Sequence, residues 1–291
     1  MNRLSIRPTL FFCFVLTALV SWGAPLKVLI IDGQNNHDWE ATTPELKRIL
    51  EETGRFQADV ATTPPAGGDM SAFQPEFGLY DVVVSNYNGE SWSAATNAAF
   101  EEYVRQGGGF VAYHAADNAF PGWKEYNEMI AIGGWGGRTE AHGASIHFED
   151  NRVQYDYSPG KAGSHGRRHA FLIVTRDPKH PIMSKLPNAW MHASDELYDS
   201  LKGPARDLDL LATAYSDPKA PGTGRNEPIL LAIRYGKGRV FHTTLGHDVA
   251  AMRCVGFITT LQRGAEWAAT GRVKQKVPKD FPTMTRVSTR E

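Results

Sequence analysis

Cysteine is scarce, with Cys13 and Cys254 the two in 291 residues. Cys13 falls inside an N-terminal stretch that reads as a secretory signal: Arg3 and Arg7, an apolar core from Leu10 to Val20, then small Ser21 and Gly23. Cleavage after Gly23 is expected, because a cut after Ala24 sets Pro25 beside the scissile bond. Cys254 then has no partner for an intrachain disulfide, so a packed core must hold the fold. The apolar core of the signal is also shorter than the roughly 20 residues of a membrane-spanning helix. The mature chain is expected to be soluble, periplasmic or secreted, with no membrane association after cleavage.

An excess of charge is lacking too: 31 Lys and Arg face 32 Asp and Glu, and losing Arg3 and Arg7 takes the formal net charge from −1 to −3. Such a balance gives no electrostatic attraction to nucleic acid or to an anionic membrane, and a small neutral partner fits better. Several signatures are missing. Neither a P-loop nor Gly-x-Gly-x-x-Gly follows the first strand, which argues against a nucleotide cofactor. Without Gly-x-Ser-x-Gly there is no nucleophile elbow, and without His-Glu-x-x-His any metal site must be assembled from distant residues. No internal repeat or low-complexity segment is present.

What is present is an α/β pattern. Leu26 to Gly33 is a near-continuous apolar run suited to a parallel strand covered on both faces. Thr43-Pro44-Glu45 predicts a helix start, with Thr43 as N-cap and Pro44 in the first position, and Gly54 as the stop. Strands are expected at 56–62, 80–85 and 110–113, with a helix at 93–105 between the last two; this alternation indicates βαβ units and a doubly wound, mostly parallel sheet. Residues 133–166 differ in kind. They are rich in Gly, His and aromatics, hold a hairpin pattern at 145–148 and 153–157, and read as an insertion over the strand ends. Regular signals return at 171–175, 208–214, 229–235 and 239–244, then in a helix from about Asp248 to Ala269. The division expected is a signal at 1–23, one domain at 24–274 and an unpatterned tail at 275–291.

His114 stands where the apolar strand Phe110-Val111-Ala112-Tyr113 reaches a turn. In a doubly wound sheet ligands sit outside the carboxyl ends of the strands, which makes this the first candidate for chemistry. His37 follows the first strand and His247 the last, so the fold alone brings the three to one sheet edge. Imidazole suits both proton transfer and metal ligation. Asp195-Glu196-Leu197-Tyr198 adds two carboxylates after His192, with Glu196 the first candidate for a base or hydroxyl-binding group. The catalytic candidates are His114, Glu196 and His247. Candidate substrate contacts are Asn86, Tyr87, Trp92, Asp117, Trp135, Asp195 and His192, the aromatics offering flat surfaces for a sugar ring. A divalent ion, zinc or similar, is expected on His37, His114, His169 and His247. His147 and His242 lie inside strand-like runs and read as packed core residues, and His180-Pro181 reads as turn chemistry.

These motifs, together with Gly-Gly-Gly-Phe-Val-Ala-Tyr-His-Ala-Ala at 107–116, His180-Pro181-Ile182, and Tyr235-Gly236-Lys237-Gly238-Arg239-Val240-Phe241 with Leu245-Gly246-His247, resemble the ThuA-like family, named for trehalose utilisation. The resemblance covers nearly all of the expected mature chain. It implies a flavodoxin-like three-layer sandwich related to the class I glutamine amidotransferases. In those enzymes the turn after the corresponding strand holds a nucleophilic Cys; here it holds His114, so amidotransferase activity is not expected. The resemblance further implies carbohydrate metabolism and action on 3-keto-glycosides, by proton abstraction beside the ketone leading to isomerisation, elimination or hydrolysis. A metal-dependent glycoside or ester hydrolase and a non-catalytic sugar-binding protein are the alternatives. The segment 133–169, with Arg138, His142, His165 and His169, is read as a lid over the site or as a subunit contact in a homo-oligomer.

Overall fold

The computed structural model describes residues 24–291; the expected signal peptide lies outside the described residues. The first half is built from β1 (Leu26–Asp32), α1 (Trp39–Glu51), β2 (Phe56–Thr62), β3 (Val82–Ser85), α2 (Ala94–Arg105), β4 (Gly109–Tyr113) and α3 (Lys124–Ile130). Short strands follow: β5 (Ala144–Glu149), β6 (Arg152–Asp156), β7 (Ser164–His165), β8 (His169–Thr175), β9 (Ala189–Asp195), β10 (Tyr198–Asp199) and β11 (Lys202–Gly203). The chain closes with β12 (Leu208–Tyr215), β13 (Asn226–Tyr235), β14 (Gly238–Thr243), α4 (Val249–Met252) and α5 (Val255–Thr270). No helix among the described residues is long and apolar enough to cross a membrane.

Nine strands form one sheet in the order β2-β1-β3-β4-β14-β13-β12-β8-β9. The pairings from β2 to β14 are parallel, and those from β14 to β9 are antiparallel. The expectation of a mostly parallel sheet is therefore corrected to a mixed one, parallel at one end. The reason is connectivity. Parallel neighbours need crossovers, supplied here by helices up to β4, whereas β13 and β14 are joined by the tight turn at Gly236 and Lys237 and take the antiparallel arrangement.

Alternate residues of β1 feed two apolar clusters on opposite faces. Val28 and Ile30 pack with Leu46 and Ile49 of α1 and Leu261 of α5, while Leu29 and Ile31 pack with Phe100 of α2 and Met129 of α3. Gly264 allows α5 to lie close on the sheet, since a Cβ there would meet Phe241 at 2.1 Å. β5 and β6 form the expected hairpin, turning through Asp150 and Asn151 at φ 51° and 59°, as a two-residue type I′ turn requires.

Two local expectations change. α1 starts five residues before Pro44, because Asp38 accepts a hydrogen bond from the Ala41 amide and caps it; the Thr43 hydroxyl is engaged by Asn86 instead. Residues 275–291 are a packed segment, not a loose tail. Phe281 lies against Trp190, the Met191 amide donates to Thr283, and the Val255 amide donates to Ser288.

Candidate active site

Strand order reverses at β1: the chain moves from β1 to β2 on one side and to β3 and β4 on the other. This is the switch point where an α/β sheet opens a crevice at its carboxyl edge. His37 follows β1, His114 follows β4 directly, and His247 follows β14. Glu196 arrives from the antiparallel end, immediately after β9, whose direction matches that of β14 after four alternations. One edge thus collects side chains from both halves.

Ring centroids lie 4.7 Å apart for His37 and His114, 4.7 Å for His37 and His247, and 5.6 Å for His114 and His247. Glu196 Oε2 is 3.7 Å from His37 Nε2, 3.8 Å from His114 Nε2 and 3.1 Å from His247 Nδ1. His114 is buried at φ 44°, a left-handed conformation that a residue with a Cβ adopts at a cost and that clusters at functional turns. Its Nδ1 donates to the Thr244 carbonyl at 2.7 Å, so Nε2 carries the lone pair and accepts from the Tyr198 hydroxyl at 2.9 Å. Burial lowers its pKa to about 4 and keeps the ring neutral. His37 Nδ1 similarly faces the Asn35 amide oxygen at 3.2 Å, leaving Nε2 for the cluster. Burial alone would raise Glu196, but the His247 and His37 imidazoles beside it bring its carboxyl well below the usual range.

These residues fit a divalent metal. One ligand atom from each of His37, His114, Glu196 and His247 lies within 4.8 Å of the others. The second nitrogens of His37 and His114 are tied to oxygen acceptors, the arrangement that orients imidazole ligands. His247 Nδ1 is buried and makes no well-aligned hydrogen bond among the described residues, with Glu196 Oε2 its neighbour at 3.1 Å. A neutral His114 imidazole and an ionised Glu196 carboxylate are the protonation states that ligation demands. Glu196 takes the place that was expected of His169. That ring turns away, with Nδ1 donating to the Arg167 carbonyl at 2.8 Å.

A cavity of about 510 Å3 opens over the cluster, lined also by Asn36, Asn88, Asn118, Trp135, His165 and Tyr198. Of the expected substrate contacts, Trp135 lines it and the others do not. Tyr87 and Trp92 are buried in an aromatic cluster with Phe120, 5.8 and 4.9 Å away, because the chain beyond β4 folds back over them. Asn86 is buried and holds the β1 loop, donating to Thr42 and Thr43 and accepting from Asn35. Asp117 is fully buried, 3.5 Å from His242.

Asp195 and His192 are likewise fully buried, as an ion pair behind the cavity, with Nε2 and Oδ2 2.8 Å apart. Burial opposes the charge on His192, but Cys254 and Asp195 outweigh it and lift its pKa to about 10. The same pairing holds Asp195 below its ordinary value against its burial. Asp195 also accepts from the amides of Glu196 (2.8 Å), Gly246 (2.7 Å) and His247 (3.0 Å). It therefore fixes the backbone that presents two of the four cluster residues.

Sequence reasoning did not place Tyr198 or the three asparagines in the site, and it gave His165 only as part of the segment that could cover it. Tyr198 was readable as part of the Asp-Glu-Leu-Tyr motif, and His165 as one of the loop histidines. The His165 Nδ1 donates to the Gly166 carbonyl at 2.9 Å, and its Nε2 lies 3.7 Å from Glu196 Oε1.

With this geometry in place, the chain can be compared with known proteins. The family model for ThuA, trehalose utilisation, matches residues 27–268. The structure resembles that of a ThuA-like protein from Parabacteroides merdae, with a TM-score of 0.90 and 51% identity over 91% of this chain and 98% of that one. A ThuA-like protein from Bacteroides uniformis shares the fold at a TM-score of 0.58 and 19% identity, over 86% of this chain and 94% of that one. No curated protein of known function matches. Over nearly all of its described length, the chain belongs to the ThuA family, a carbohydrate-related family named for trehalose utilisation.

Proposed function

We propose that this protein is an exported carbohydrate-processing enzyme that abstracts a proton beside the ketone of a 3-keto-glycoside. The observation that carries the reading is the convergence of three imidazoles and one carboxylate at the base of a cavity sized for a sugar. The cavity wall has no Lys or Arg, which favours a neutral substrate, and Asn36, Asn88 and Asn118 offer amide groups for hydroxyls. Trp135, 4.7 Å from Tyr198 between ring centroids, offers a flat face to a pyranose ring.

His37, His114, His247 and Glu196 would hold a divalent ion. When bound, it supplies positive charge opposite an oxygen that becomes anionic during reaction. The lowered pKa values of His114 and Glu196 make them poor proton acceptors and good ligands. His165 is better placed as the base, with Nε2 as its lone-pair nitrogen. It would take the proton from C2, the carbon beside the C3 ketone; the C–H electron pair forms the C2–C3 double bond and the ketone oxygen becomes an enolate. Collapse of that enolate breaks the C1–O bond and expels the aglycone, or returns the proton to give an isomer.

Proton NMR in D2O with a 3-keto-glucoside tests this. We expect exchange at C2 followed by elimination or isomer signals, lost in His165→Gln and in Glu196→Gln. Hydrolysis without C2 exchange would replace the reading with a metal-dependent hydrolase. Saturable binding with no spectral change would replace it with a sugar-binding protein.

A further inference from the structure

At the sheet end opposite the histidine cluster, a second cavity of about 670 Å3 lies between the β8–β9 connection and the segment after α5. Lys179, Lys185, Lys274 and Lys276 line it, and no acidic side chain does. Lysine ion pairs among the described residues involve Lys47 and Lys124, not these four. For a chain of formal net charge −1, this is a concentrated local excess of positive charge.

One buried side chain arranges it. Arg263 of α5 donates to the carbonyls of Ile182 (2.6 Å), Pro181 (2.9 Å) and Ser184 (2.8 Å) on one wall, and to that of Gln275 on the other. Lys179 and Lys185 flank the first anchor, and Lys274 and Lys276 flank the second. The guanidinium thus pins both lysine-bearing segments while its own donors are largely occupied. The nearby carboxylates have other partners than the lysine side chains. Asp177 accepts from the amides of Lys179 and His180, and Glu266 accepts from the Gln275 amide and pairs with Arg55. Four lysines therefore line one cavity, and none of them makes an ion pair among the described residues.

We propose that this cavity is a binding site for a soluble, multiply charged oxyanion of the oligophosphate class. Ammonium groups are compact point charges that suit the several oxygens of a polyanion better than the planar, bidentate geometry of one carboxylate. Four of them around one space favour a ligand carrying several charges over a single phosphate. The site is independent of the chemistry at the histidine cluster, and Lys274 and Lys276 lie beyond the residues matched by the family model.

Isothermal titration of the mature protein with inorganic tripolyphosphate, at low and at physiological salt, tests the assignment. We expect saturable one-to-one binding that weakens with salt, and an affinity lower by about tenfold or more in Lys185→Gln/Lys276→Gln. Lys161→Gln/Lys219→Gln, which removes the same charge elsewhere, is expected to bind as the wild type does. Lys274→Gln, at an exposed position, serves as a second variant if the double substitution impairs folding, which circular dichroism reports. No saturable binding, equal affinity in the cavity variants, or an equal loss in the Lys161/Lys219 control would each overturn the proposal. So would binding to anionic lipid vesicles with no response to tripolyphosphate, which would assign the patch to a membrane surface.

Discussion

Asp195→Asn preserves the outline of a fully buried side chain and removes its charge. The carboxylate pairs with His192 at 2.8 Å and accepts three backbone amides at 2.7–3.0 Å. Removing one partner of a buried ion pair costs about 3–5 kcal/mol, because the other charge is left uncompensated. Asparagine keeps an acceptor for some of the amides, which places the expected loss at the lower end, about 3 kcal/mol. At roughly 2–4 °C per kcal/mol for a domain of this size, Tm should fall by about 6–12 °C. The second consequence concerns the site: the amides affected belong to Glu196, Gly246 and His247, and loosening the support of residues that would ligate a metal typically costs about 10–100-fold in affinity. Calorimetric melting and zinc competition against a chromophoric chelator measure the two effects. His192→Gln and the double variant complete a cycle in which the double costs less than the sum, since it leaves no charge unpaired. An Asp195→Asn protein melting within roughly 2 °C of wild type, with unchanged zinc affinity, would refute both the charge assignment and the supporting role.

Zinc at about 100 times its Kd should stabilise the protein by about 2.7 kcal/mol, and Glu196→Gln or His37→Ala should abolish the increment in a thermal melt with and without chelator. Glu227 is buried, and burial raises its pKa to about 7 despite the Thr223 hydroxyl. Because the folded value exceeds the ordinary 4.5, its favourable contribution is complete below pH 4.5 and is lost as pH rises through about 7. Glu227→Gln should therefore gain up to about 3 kcal/mol over wild type above pH 7 and nothing below pH 4.5, as denaturant titrations at several pH values would show. Gly264→Ala drives a Cβ to within 2.1 Å of the Phe241 ring at the contact between α5 and the sheet. A loss of about 3 kcal/mol is expected, and an unshifted urea midpoint would mean that α5 is not seated as described.

The parallel end of the sheet and three of the four cluster residues were legible in the sequence for one physical reason. A buried parallel strand is a continuous apolar run, its carboxyl end is marked by the first polar residue after it, and the doubly wound arrangement sends those ends to one edge. His114 is such a residue, and His37 and His247 lie in the loops that leave two other strand ends at the same edge. Glu196 was legible only as chemistry, since a carboxylate in a motif does not say which edge it reaches. Its arrival depends on β9, whose Ala-Trp-Met-His-Ala-Ser-Asp carries buried polar groups among its apolar ones and lacks a strand's usual pattern. Those buried polar residues explain the misreading of function as well. His192 and Asp195 look like exposed site residues because charged groups seldom enter a core, yet each makes the other's burial tolerable. Asn86 and Asp117 misled in the same way, since proximity in sequence to a strand end does not distinguish a residue facing a ligand from one holding the loop that does. His169 shows the limit most directly. It is register partner to Asp195 across β8 and β9, next to the site in the sheet, and a carbonyl two residues away in its own chain orients its ring elsewhere.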